Sequence, residues 1–201
     1  MRNEATLQHM GVDYGAKQAG TTAAAMLLHG QLQVWQSAKG QDADKWLIDL
    51  LQKLQPKVLY VDAPLTLPKV YTQANHSPTS DYFYRQADRE LQAMSPMFIG
   101  GLTARAIKLR VQLAEKGVAV LETYPSALVR QLLPQLPNYK KGLAALPEFA
   151  EVLQGLLQYK LLEIPQNWHQ FDALLAWFSG YRHQVGQSLL YGDAREGRVI
   201  I

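Results

Sequence analysis

Two short runs, Val58-Leu59-Tyr60-Val61 and Val118-Ala119-Val120-Leu121, constrain this chain more than any other feature in it. Both are apolar at every position. A strand with one face in water alternates between apolar and polar residues. A run without alternation suits a central parallel strand that is covered on both faces. Each run is followed at once by a carboxylate, Asp62 after the first and Glu122 after the second. In open α/β sheets, functional groups gather at the carboxyl ends of parallel strands. The two acids are therefore expected on one edge of one sheet.

The segments around these runs complete the outline. Residues 8–14 read as a strand ending in Asp13, Thr21 to Leu28 as a second strand, and Gln31 to Gln36 as a third, edge-like one. Turns near Gly15, Gly20 and His29-Gly30 join them into an antiparallel meander. Trp46, Ile48, Leu50, Leu51 and Leu54 give the apolar stripe of a helix that Asp42 or Asp44 can cap and Pro56 stops. A long polar loop over 66–80 precedes helices predicted at Asp81–Met94 and Leu102–Lys116. In the second of these, Arg105, Lys108 and Gln112 lie apart from the apolar face. Further helices are predicted at Ser126–Leu133, near 147–158, and at Phe171–Gln184, with a strand or tail at Arg198–Ile201. The fold expected is α/β: a mixed sheet of a meander plus parallel strands, flanked by helices. It forms a single domain over 1–201, with a helical and loop insertion around 66–116.

Composition narrows the chemistry. There is no cysteine, so thiolate metal sites, disulfides and cysteine nucleophiles are excluded. Any metal must be held by carboxylates or by the five histidines. The first residues, Met1-Arg2-Asn3-Glu4-Ala5, lack the apolar core of a secretory signal, and no segment is long and apolar enough to span a bilayer. A cytoplasmic protein with no membrane partner is expected. The net charge of +3 is compatible with a nucleic-acid partner but equally with small-molecule enzymes.

Four acids stand beside or inside apolar segments: Asp13, Asp62, Glu122 and Asp172. Singly they have plain explanations: a turn acid, a strand-ending turn, a surface ion pair and a helix N-cap. Together they resemble one site assembled by the fold, because a charge next to a buried segment is costly unless paired or metal-bound. Hard oxygen ligands favour Mg²⁺ or Mn²⁺. Two such ions about 3.5–4 Å apart clamp the attacking and leaving oxygens of a phosphodiester, with water as the nucleophile.

The residues also resemble a family. GVDYGAKQAGTT is similar to the first-strand motif of ribonuclease H-like proteins. The succession VDAPLTLP, YRQADRELQ, a Gly-Gly turn with a basic helix, LETYPSALVR, NYKKG, FDALLAWFSGY and GRVII resembles the predicted-nuclease family catalogued as domain of unknown function 429. The resemblance implies a ribonuclease H-like fold and a metal-dependent nuclease, hydrolysing DNA or RNA with Mg²⁺ or Mn²⁺. Asp13, Asp62, Glu122 and Asp172 would be its catalytic metal ligands. Arg85 and Asp88, together with Lys140, match further signatures of the family. Arg85 and Lys140 would hold phosphates, and Arg105 on the basic helix would join Arg85, Asp88 and Lys140 in substrate binding. Cutting both strands of a duplex or a junction would call for a homodimer.

Two other functions share these features: a non-catalytic nucleic-acid-binding module of the same fold, and a phosphotransfer enzyme related to actin-like ATPases. Asn75-His76 lies in the long loop and reads as solvated. His169 and His183 lack partners at metal-ligand spacing and receive no role.

Overall fold

The first strand, β1 (His9–Asp13), is buried at every residue and sits inside the sheet. In the computed structural model, which describes residues 8–73 and 77–201, β2 (Ala23–Leu28) and β3 (Gln31–Gln36) complete the meander on one side of it. On the other side β4 (Val58–Asp62) and β5 (Ala119–Thr123) run parallel to it, as their unbroken apolar runs require. Three two-residue strands extend the edges: β6 (Lys160–Leu161), β7 (Leu190–Tyr191) and β8 (Val199–Ile200). The eight-stranded mixed sheet has the order β6-β3-β2-β1-β4-β5-β8-β7.

Helices cover both faces. α1 (Ala43–Leu54) starts at Asp42, whose side chain accepts from the N–H of Asp44 and Lys45, and ends at Gln55 in the left-handed region. α1 and α3 (Gly100–Ala114) pack one face, where Met10, Val12, Leu47, Leu59, Val61 and Leu109 form a core. The opposite face is covered by α4 (Pro125–Leu132), α5 (Leu146–Leu156) and α6 (Trp168–Gln184), around Phe149, Phe171, Leu174 and Trp177. Each fully buried large aliphatic or aromatic side chain contributes roughly 1.5–3 kcal/mol over leaving it in water.

α6 crosses β1 unusually closely. A Cβ on Gly11 would lie 2.0 Å from the Trp177 backbone nitrogen, and one on Gly180 would lie 2.4 Å from the Tyr60 ring. The room that Gly11 leaves, two residues before Asp13, is filled by helix backbone.

Several elements differ from the sequence reading. The helix predicted over Asp81–Met94 shrinks to α2 (Gln86–Leu91), because Asp81 instead accepts from the N–H of Phe83 and Tyr84 and forms a turn. The last helix begins earlier than Phe171. Asn167 caps it by accepting from His169 and Gln170, which places Asp172 one turn inside rather than at the cap. β6 and β7 had no sequence signal, being too short for a period to show. Asn75-His76 lies outside the described residues.

Candidate functional site

Three of the four acids meet. β1 and β4 pair in a parallel register that sets Asp13 directly opposite Asp62, so both side chains leave the sheet on the same face. That face carries α6, and Asp172 projects toward them from the helix. Asp13, Asp62 and Asp172 each offer a carboxylate oxygen within 4.8 Å of the others. Asp172 is fully buried and Asp13 nearly so, while Asp62 is half-buried.

Glu122, expected as a fourth ligand, is not in this group. The β4–β5 register sets it opposite Val61 rather than Asp62. An offset of one residue turns a side chain to the other face of a sheet. Glu122 is accordingly held by Arg85, whose terminal nitrogens lie 2.7 Å and 2.6 Å from its two oxygens, and by the Leu65 N–H at 2.8 Å. Arg85 also bonds both oxygens of Asp88 and the Thr66 hydroxyl. Its Nε and both terminal nitrogens thus all donate within the protein, and the residue is 1 % exposed. With every N–H group of its fork committed, Arg85 has none left for a phosphate. The expected substrate-binding roles of Arg85 and Asp88 give way to a buried ion triad with Glu122.

The triad does serve the site indirectly. It fixes Leu65 and Thr66, a few residues beyond Asp62, through two of its hydrogen bonds. Glu196 does the same for the next stretch, accepting from the N–H of Lys69 and Gln86. Arg105 is also largely committed, to Asp44 and to the Gly15 carbonyl, and lies over the Tyr14 ring.

Cations reach the cluster from a different direction. Lys140, in the Asn-Tyr-Lys-Lys-Gly turn, places its ammonium on Asp172 Oδ2, and the neighbouring Tyr139 hydroxyl donates to Oδ1. The turn is tight: Asn138 and Lys140 both lie in the left-handed region, at φ 72° and 61°. Lys140 remains partly exposed, so its stem bridges the cluster and solvent. His169 was missed by the sequence reading. Its Nδ1 lies 2.7 Å from Asp13 Oδ2. The signal was available, because His169 and Asp172 are three apart on one helix and so share a face.

The electrostatics follow from crowding three acids together. Burial, then the charges of Asp13 and Asp172, push Asp62 well above the usual carboxylate range. Burial raises Asp172 to about 6 against the opposing pull of Lys140. Lys140 is held above its ordinary value: burial alone would lower it, but Asp172 and then the other two acids outweigh that effect. His169 is raised by its hydrogen bond to Asp13. The cluster therefore resists full ionisation with only its own cations for compensation. Three hard oxygen donors under such a charge excess fit a divalent cation of the Mg²⁺ or Mn²⁺ type. Cysteine is absent from the chain, so no softer sulfur donor competes.

In comparisons with known proteins, no family model matches the chain and no curated protein matches it. Among the described residues, no helix is long and apolar enough to cross a membrane.

Proposed function

We propose that this protein is a divalent-metal-dependent hydrolase of phosphodiesters, with nucleic acid as its substrate class and a ribonuclease H-like fold as its scaffold. The observation that carries the proposal is the convergence of Asp13, Asp62 and Asp172, from two adjacent parallel strands and a covering helix, within 4.8 Å. The meander followed by parallel β4 and β5, with a carboxylate at the centre of the sheet, supports the scaffold.

Asp13, Asp62 and Asp172 would hold Mg²⁺ or Mn²⁺, which supplies Lewis acidity and an activated water when bound. The remaining residues act on geometry and charge. His169 holds a proton at Nδ1 against Asp13 and fixes the direction of that carboxylate. Tyr139 does the same for Asp172. Lys140 neutralises part of the cluster, and its partly exposed position lets it meet a phosphate oxygen as a point charge. Arg85, Asp88 and Glu122 hold the segment after Asp62 in place.

The test is thermal denaturation with and without Mg²⁺ or Mn²⁺. Metal at a hundredfold its dissociation constant should stabilise the fold by about 2.7 kcal/mol. Asp62→Asn should abolish the shift, and cleavage of labelled DNA or RNA should vanish with it. Metal that neither shifts the transition nor supports cleavage would remove the hydrolase reading. Stabilisation by ATP instead would favour phosphotransfer.

A further inference from the structure

A second charged cavity lies on the other face of the β1 terminus. It has a volume of about 280 Å³ and is walled by the start of α1, the middle of α3 and Tyr14, the residue that follows Asp13. Its lining carries four cations, Lys17, Lys45, Arg105 and Lys108, against two acids, Asp42 and Asp44.

Both acids are already spent inside the protein. Asp42 caps α1 and meets Lys17 at 3.1 Å. Asp44 accepts from the Tyr14 hydroxyl at 2.5 Å and from Arg105 Nε and a terminal nitrogen at 3.0 Å and 2.6 Å. A third Arg105 bond goes to the Gly15 carbonyl at 3.0 Å. That network fixes Arg105 over the Tyr14 ring, 4.7 Å from its centre, and makes the cavity floor rigid. Lys17 and Arg105 thus consume the two acids, and Lys45 and Lys108 remain as the charge excess on the rim. Both are exposed.

We infer that this cavity binds a phosphate of the substrate's backbone, away from the bond that is cut. The inference rests on the hydrolase function proposed above and names where the strand continues. A polyanion is the ligand that the net positive lining selects, and Tyr14, which lines the cavity, follows Asp13 in the chain. Lys45 and Lys108 supply the charge, and Arg105 shapes the site as a positioning residue. The polar face of α3 that the sequence shows at Arg105, Lys108 and Gln112 then has an assignment, since all three line the cavity.

The experiment compares the wild type with the Lys45→Ala/Lys108→Ala double variant, using a short fluorescein-labelled single-stranded DNA in EDTA, titrated over a range of salt. Both lysines are exposed, so the fold should be untouched. The variant should bind about tenfold more weakly at low salt. Its slope of log affinity against log salt should be shallower by about 0.7 for each phosphate that the lysines no longer neutralise. Inorganic tripolyphosphate should compete with the DNA on the wild type and less on the variant. Equal affinity and slope in the two proteins, or no binding by the wild type, would overturn the inference. The Mg²⁺-induced melting shift is read on EDTA-free portions of the same protein preparations. Its absence would remove the hydrolase reading, while the DNA titration would still decide the cavity.

Discussion

Two groups of buried acids sit on opposite faces of the same sheet edge, and they behave in opposite ways. In the triad, Asp88 and Glu122 share one arginine whose fork is fully used by its surroundings. Nothing is left over for a ligand. In the cluster, Asp13, Asp62 and Asp172 crowd together with a single lysine and a histidine at their margin. The first arrangement is closed, and the second is short of positive charge. Burial of an acid does not separate structure from function; the balance of charge around it does.

The largest expected effect tests the closed group. Arg85→Met removes the shared cation and strands two buried carboxylates, which should cost about 3–5 kcal/mol in urea denaturation. A loss below about 1 kcal/mol would show that the triad is open to water and not closed.

Acid should next separate the cluster face from the rest. His9 is buried against Trp177, and burial lowers its pKa from 6.5 to about 4. The unfolded chain therefore takes the proton first, and stability present above the ordinary value drains away as pH falls toward about 4. The full loss is about 3 kcal/mol. Asp172 has the opposite sign. Its pKa is raised to about 6, so the folded protein takes that proton first and regains stability over much of the same window. Asp172→Asn should consequently lose stability more steeply than the wild type between about pH 6 and 4. Parallel curves would mean that Asp172 is ordinary.

A smaller effect is expected at His169. His169→Gln should weaken Mg²⁺ or Mn²⁺ binding about tenfold, as removing the partner behind a metal ligand does. Isothermal titration reads this directly, and unchanged affinity would reduce His169 to a surface neighbour of Asp13.

The smallest effect carries the contrast in its sign. Asp62→Asn relieves repulsion in the cluster and should stabilise the metal-free protein by ~1 kcal/mol. The same change of type at Glu122 should destabilise it. If both variants shift the same way, the two groups do not differ as described.

Much of this was legible in the sequence. The unbroken runs at 58–61 and 118–121 marked the parallel strands, the meander was readable from its turns, and Asp13 and Asp62 stood where strand ends should be. Asp42 as the cap of α1 followed from ordinary helix chemistry. The face of Glu122 was not legible. Aligning the two runs by their terminal acids puts Glu122 beside Asp62, whereas the hydrogen-bonded register is displaced by one residue. Nothing in either run fixes that displacement, because both are apolar throughout and have no face to register. That Arg85 is spent inside the protein and not on a phosphate was not legible for a related reason. Spacing of three on a helix gives proximity, but only the third member, Glu122, distant in the chain, makes the pair buried. The approach of Lys140 depended on a turn whose left-handed residues carry no glycine signal.

The close crossing of α6 over Gly11 has a consequence for how substitutions here are scored. In a mutational scan that reads activity alone, Gly11 and Asp13 should be about equally intolerant. At Gly11 any side chain strikes the backbone of the crossing helix, and the failure is one of abundance: the protein is not made in folded form. At Asp13, Asn keeps the shape and removes a charge, so abundance should hold while the proposed activity is lost. Reading soluble yield beside activity would separate two neighbouring positions that a single measurement merges.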